Sequence, residues 1–250
     1  MARSRAALAP LALLLLAGSI VLLFFVILSG TTRTTPFRQS HFLSADTSGI
    51  TGARPISQWT FFRICGEDNT GCSHAWPDPP IGWAWSKDPT GPNLPQRLIG
   101  SYGSGTTSYT YFYMWRFGWV FYLLALFFTI VAFFIGFLAF FGRLGSALAG
   151  MMSSVALFFL SIAAALMTAT FVKMRDQFTS VGRASKLGVW AFGFTWGAVG
   201  AVLIATVLFW VGIRNRDNVA AGGARWGRQR SARSHRSYDL GSHRVKEDYA

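Results

Sequence analysis

Four stretches of the chain, residues 6–32, 117–142, 144–172 and 187–213, contain no Asp, Glu, Lys, Arg or His. Each exceeds the roughly 20 apolar residues that a helix needs to cross a bilayer. In hydrocarbon every backbone polar group must be satisfied within its own segment, so runs of this kind form helices. The whole chain agrees, with 52% hydrophobic and only 13% charged residues, where a soluble domain carries about 25% charged. The expectation is an all-α membrane protein with transmembrane helices over 7–30, 117–142, 147–172 and 188–213. Between them lie an N-terminus (1–6), a long segment (31–116), a short loop (143–146), a second loop (173–187) and a tail (214–250). The first run is not read as a cleaved signal. Arg3 and Arg5 give it a basic start, but it is longer than an h-region of about 7 to 15 residues.

Four spans put both termini on one side. That side carries Arg3, Arg5, Arg143 and nine Lys or Arg after Ile213, twelve in all, against Lys173, Arg175, Arg183 and Lys186 in the opposite short loop. The excess of basic residues marks the cytoplasmic face, and the long segment 31–116 is outside the reach of that rule. Both termini of a multi-pass membrane protein are therefore expected in the cytoplasm, with 31–116 and 173–187 outside the cell or in the secretory lumen. The basic short loop runs against this pattern.

Cys65 and Cys72, the only cysteines, fall in the outer segment, where disulfides form and persist. A structural staple is expected in preference to a redox or metal role. One nearby His74 makes a poor zinc site, and no metal is expected. Six prolines between 77 and 95 exclude a continuous helix there, while residues 59–64, aromatic and β-branched, suit a strand ending at the first cysteine. Trp59 is expected to pack against the staple and Phe62 to pack this small ectodomain or line a ligand surface on it. Trp76, Trp83 and Trp85 have two open readings: packing or headgroup-layer residues, or a surface that stacks on a cell-wall polymer. The run from Tyr109 to Tyr122 is an aromatic belt in which Arg116 snorkels at the water boundary.

The spans hold no ionisable side chain, which argues against a pump or proton-coupled transporter. They do hold small residues at four-residue spacing, Gly193, Gly197, Ala201 and Ala205 in the fourth and Ser161, Ala165 and Ala169 in the third. Such ridges let helices approach closely. The expected result is a left-handed four-helix bundle, with the same ridges open either to packing within one chain or to contacts in a homo-oligomer or with other membrane proteins. No phosphate-cradling loop, HExxH or GxSxG occurs, and "GSYGSG" is loop composition. No enzyme activity and no cofactor are expected.

The tail, nine basic against four acidic residues, is too polar to bury a core and is expected to be disordered. Arg225, Arg228, Arg230, Arg233 and Arg236 would lie beside anionic or phosphoinositide lipid, each gaining about 1 kcal/mol. The net charge of +13 is assigned to the membrane surface and no nucleic-acid partner is expected.

Four spans, the run Trp59-x-x-Phe62-x-x-Cys65 with Cys72, "YMWRFGWVFYLLALFF", "ALMTATFVK" and "KLGVWAFGFTWGAVGAVL" together resemble the fungal Sur-seven/PalI family, the Sur-seven branch in particular. The resemblance implies a claudin-like bundle with one disulfide and a few short strands outside. It also implies a fungal source and a non-enzymatic role in organising stable plasma-membrane domains over eisosomes, with effects on the cell wall, endocytosis and cortical order. An auxiliary subunit of a channel, transporter or wall synthase, or a PalI-type ambient-pH component, is the alternative. The claudin Gly-Leu-Trp before the first cysteine is absent; Phe61, Phe62 and Arg63 stand in that neighbourhood.

Overall fold

Helices of the length and apolarity needed to span a membrane occur four times among the described residues, over Leu8–Ile27, Tyr109–Phe140, Leu144–Ser180 and Val189–Ile213. The computed structural model describes residues 8–31, 34–140 and 143–234, with the side chains of 143 and 214–234 outside the description. Helix α1 is Leu8–Ile27 and α2 is Tyr109–Gly136, prolonged by a 3-10 turn at Phe137–Phe140. Helix α3 is Arg143–Ser180 and α4 is Val189–Ser234. Backbone helix thus continues over 214–234, where the composition suggests disorder, and the tail arginines Arg225, Arg228, Arg230, Arg233 and Arg236 lie outside the described side chains.

Each helix packs on two neighbours, α1 on α2 and α4, and α3 on α2 and α4, closing a ring. The buried face of α3 recurs at helical spacing through Ala149, Ala156, Leu160, Ala163, Met167 and Phe171. On α4 the buried residues are Ala191, Ala198, Val202, Ala205 and Phe209. Buried hydroxyls join helices inside the ring: Tyr122 with Thr195 at 3.3 Å across α2 and α4, and Ser153 with Thr206 at 2.7 Å across α3 and α4. With lipid as solvent, small residues and such hydrogen bonds hold helices together where the hydrophobic effect does not.

Helix α3 has 38 residues and is about 57 Å long, against roughly 30 Å of hydrocarbon. Its last turns therefore rise out of the bilayer beside the segment joining α1 to α2. That segment and the α3–α4 loop form one antiparallel sheet in the order β3-β2-β1-β4. Its strands are β1 Leu43–Asp46, β2 Ile56–Trp59, β3 Ile64–Cys65 and β4 Ser185–Leu187. Leu43 pairs with Trp59 on one side and with Leu187 on the other.

The single strand read over 59–64 is two strands. The Thr60 amide donates to Arg63 O at 3.0 Å and closes a turn, so β2 ends at Trp59 and β3 begins at Ile64, with Phe61 and Phe62 at the tip. Short 3-10 turns at Ile81–Ala84 and Gln96–Leu98 occupy the proline-rich passage.

Candidate functional site

The loop domain is stapled and then keyed into the bundle. Cys65 and Cys72 are joined, with Cα atoms 3.9 Å apart. Gly30, just past α1, meets this staple at close range. It holds φ +73°, and a Cβ there would come within 3.1 Å of Cys65 Sγ and 3.0 Å of Thr60 Oγ1, so both conformation and space favour glycine. The disulfide thus anchors the β2–β3 hairpin directly over the end of the first span.

From that anchor the hairpin tip reaches into the ring. Phe61 is fully buried, stacks on Trp119 at 5.6 Å and meets Tyr122 at 5.2 Å, both on α2. Its amide donates to Ser29 Oγ at 3.3 Å, beyond α1. Phe62 lies half-buried against Trp119. A second key is Phe42, entering β1: it stacks on Phe171 of α3 at 4.9 Å and 4°, and meets Phe192 of α4 edge-on. Gly188 at the start of α4 makes room for it, since its amide donates to Phe42 O at 3.0 Å and a Cβ there would fall 1.6 Å from His41 O. Burying two phenylalanines in this way contributes about 1.5–3 kcal/mol each.

Trp59 is buried, but on the face of the sheet opposite the staple. Gln58 is the partner of Cys65 and Trp59 the partner of Ile64, and successive side chains alternate between faces. The Trp59 indole instead packs on Trp85 and on Phe178 of α3, and donates to Ile81 O at 3.0 Å. Trp85 is also buried and donates to Thr106 O. The five residues assigned to packing or a ligand surface therefore separate. Trp59, Phe62 and Trp85 are packing residues, while Trp76 is 51% exposed with Trp83 beside it at 5.9 Å.

Two cations tie down the first loop, one from the second loop and one from a helix. Arg183, 7% exposed, donates from Nε to Asn93 O, from Nη2 to Pro92 O, and from Nη1 to Asp46 O and Ser48 O, at 2.7–3.2 Å. Four carbonyls of the first loop are thereby satisfied by one side chain of the second, which was counted in the sequence only as a topology charge. Arg116 of α2 donates from Nε to Asp78 Oδ2 at 2.5 Å. Burial raises the Asp78 carboxyl to about 6, against the opposing pull of Arg116. Trp115 holds the same passage, donating to Pro79 O at 3.0 Å.

The small-residue ridges sit only in part where packing within the chain needs them, with Ala205 fully buried in the bundle. Gly193, Gly197, Ser161 and Ala165 are exposed on the bundle's outer surface, and Ala169 and Ala201 are half-buried. A Cβ at Gly193 would meet nothing within 4 Å, and one at Gly197 would touch only Leu22 of α1. Between α3 and α4 run the Ser153–Thr206 hydrogen bond and the Trp196 and Trp210 indoles, which donate to Thr168 Oγ1 and Ser154 Oγ. The cause of the outward placement is phase: inward and outward stripes both have helical spacing, and only the register against the neighbouring helix distinguishes them. Among the described residues no group of three or more His, Cys, Asp or Glu lies together.

A ring of four apolar helices capped by a disulfide-stapled antiparallel sheet defines a claudin-like tetraspan membrane protein. Within that class the chain belongs to the SUR7/PalI family, whose sequence pattern it matches over residues 8–208. It is 32% identical over 204 residues to the SUR7 family protein FMP45 of Saccharomyces cerevisiae, covering 79% of this chain and 63% of that one. To the protein SUR7 of Candida albicans it is 32% identical over 207 residues, 80% of this chain and 72% of that one. The protein SUR7 of Saccharomyces cerevisiae is 28% identical over 207 residues, 79% and 65% respectively. A further Saccharomyces cerevisiae relative, 29% identical over 203 residues, is described as a plasma membrane protein. The match with FMP45 thus spans less than two thirds of that relative's length.

Proposed function

We propose that this protein is a non-enzymatic organiser of plasma-membrane domains of the eisosome-associated kind, supporting cortical and cell-wall order and endocytosis. The loop domain faces outward and both termini lie in the cytoplasm. Family membership supports the setting, and a disulfide in the loop domain supports an oxidising compartment on that side. The basic second loop that opposes this topology loses part of its weight, because Arg183 is committed to first-loop carbonyls rather than to the membrane surface.

The observation that carries the reading is the outward placement of Ser161, Ala165 and Gly193. Small residues facing lipid offer copies of the chain, or other membrane proteins, a close approach between helices. Arg225, Arg228, Arg230, Arg233 and Arg236 would add anionic or phosphoinositide lipid on the cytoplasmic face, and a wall polymer is a further candidate partner outside. Imaging a tagged copy tests the organiser: static cortical patches are expected, persisting when candidate channels are deleted. Co-purification with one large polytopic partner in fixed ratio would assign the chain to an auxiliary subunit instead. Failure of an external protease, or of an impermeant thiol label applied after external reduction of Cys65–Cys72, to reach the loop domain in intact cells would reverse the topology.

A further inference from the structure

Arg116 is the last charged residue before the uncharged run of α2 begins at Phe117. A free arginine at that depth would snorkel with its whole guanidinium in water. This one is held instead. Its Nε points at Asp78 Oδ2, 2.5 Å away, and its guanidinium carbon lies 4.5 Å from the centroid of the Phe112 ring. Asp78 is 6% exposed, and burying a carboxylate against an arginine costs desolvation that the ion pair only partly offsets. What the arrangement secures is direction. An arginine has five N–H donors. One is used, and among the described residues neither Nη nitrogen has a protein partner, although half of the side chain is exposed.

The surroundings of that free edge fit a lipid headgroup. Asp78 is fixed from behind by the Trp115 indole on Pro79 O. Two residues before it, Trp76 projects 51% exposed with Trp83 at 5.9 Å and a tilt of 56°. Trp76 is tied in turn to the hairpin tip, its amide donating to Phe62 O at 3.1 Å, and Phe62 packs on Trp119 of α2. The indole pair therefore hangs at the level where α2 enters the bilayer, which is where tryptophan partitions. The paired Nη donors of an arginine match two oxygens of one phosphate.

We propose that Arg116, aimed by Asp78, with Trp76 and Trp83 on the same passage as Asp78, is a receptor for the phosphodiester headgroup of a phospholipid in the leaflet beside the loop domain. The Nη pair clamps the phosphate and the indoles lie in the headgroup layer. The site is independent of the organiser reading and of which face of the membrane the loop domain occupies.

Native mass spectrometry of the delipidated full chain tests it. Dioleoylphosphatidylcholine is titrated against dioleoylglycerol, which has the same acyl chains and no phosphate. The expected result is an apparent Kd for phosphatidylcholine raised tenfold or more by Arg116→Gln, with diacylglycerol bound weakly and alike by both proteins. Trp76→Ala, at a half-exposed ring outside the core, is expected to raise the same Kd severalfold and keeps the test decisive if Arg116→Gln does not fold. Unchanged phosphatidylcholine affinity in either variant, or diacylglycerol bound by the wild type as tightly as phosphatidylcholine, would overturn the proposal.

Discussion

Asp78 is a buried carboxyl of the loop domain, paired with Arg116 of α2. Its carboxyl titrates near 6 in the folded protein against a reference value of 3.8. The folded state thus takes up a proton more readily than the unfolded one. The associated stability is full below about pH 4 and is lost as pH rises through 6. Melting curves of the purified protein should show a Tm that falls between pH 4 and 7. Asp78→Asn, which cannot titrate, should flatten that profile; an equally steep profile in the variant would assign the effect to another group. The role of Asp78 was invisible in the sequence. An acidic residue in "WPDPP" reads as a solvated turn, and only the proximity of Trp115 and Arg116, across 36 and 38 residues, reveals it.

The helices were legible because absence of charge over twenty residues has one stable outcome in lipid. Strands were not, because β3 and β4 have two and three residues, too few to show a period. Only their long-range pairing defines them. Phe61 carried the same ambiguity: "TFFR" has strand composition, yet the turn closed at Arg63 turns one ring into the bundle. The cysteines were legible as a staple, since two thiols with six residues between them can close a short loop. In the chain-entropy account that closure contributes about 2–3 kcal/mol. Replacing Cys65 and Cys72 together by Ser should lower stability by that amount and loosen the hairpin, read as faster amide exchange in β2 and β3. Arg183→Ala should cost about 1–3 kcal/mol, because four first-loop carbonyls lose the one buried guanidinium that ties them together. A Tm within a degree of wild type for Arg183→Ala would show that water replaces it freely.

For the molecule as a whole, the decisive ambiguity was rotational. Sequence spacing identified small-residue ridges on the third and fourth spans but not which way each helix turns them, since that depends on packing against a neighbour. With Ala165 and Gly193 outward, larger side chains there should leave the fold intact and disturb only lateral contacts. Ala165→Leu with Gly193→Leu is expected to keep the wild-type Tm while reducing crosslinked multimers in membranes severalfold. A large drop in Tm would place those residues inside the bundle.

Strand β4 arrives from the far end of the chain to complete a sheet begun before the second span, with Leu187 alongside Leu43. During synthesis, β1 therefore waits with a bare edge until three spans have been threaded and the fourth is emerging. Maturation of the cap is tied to completed insertion, and a nascent or truncated protein lacking that last strand would display an open sheet edge.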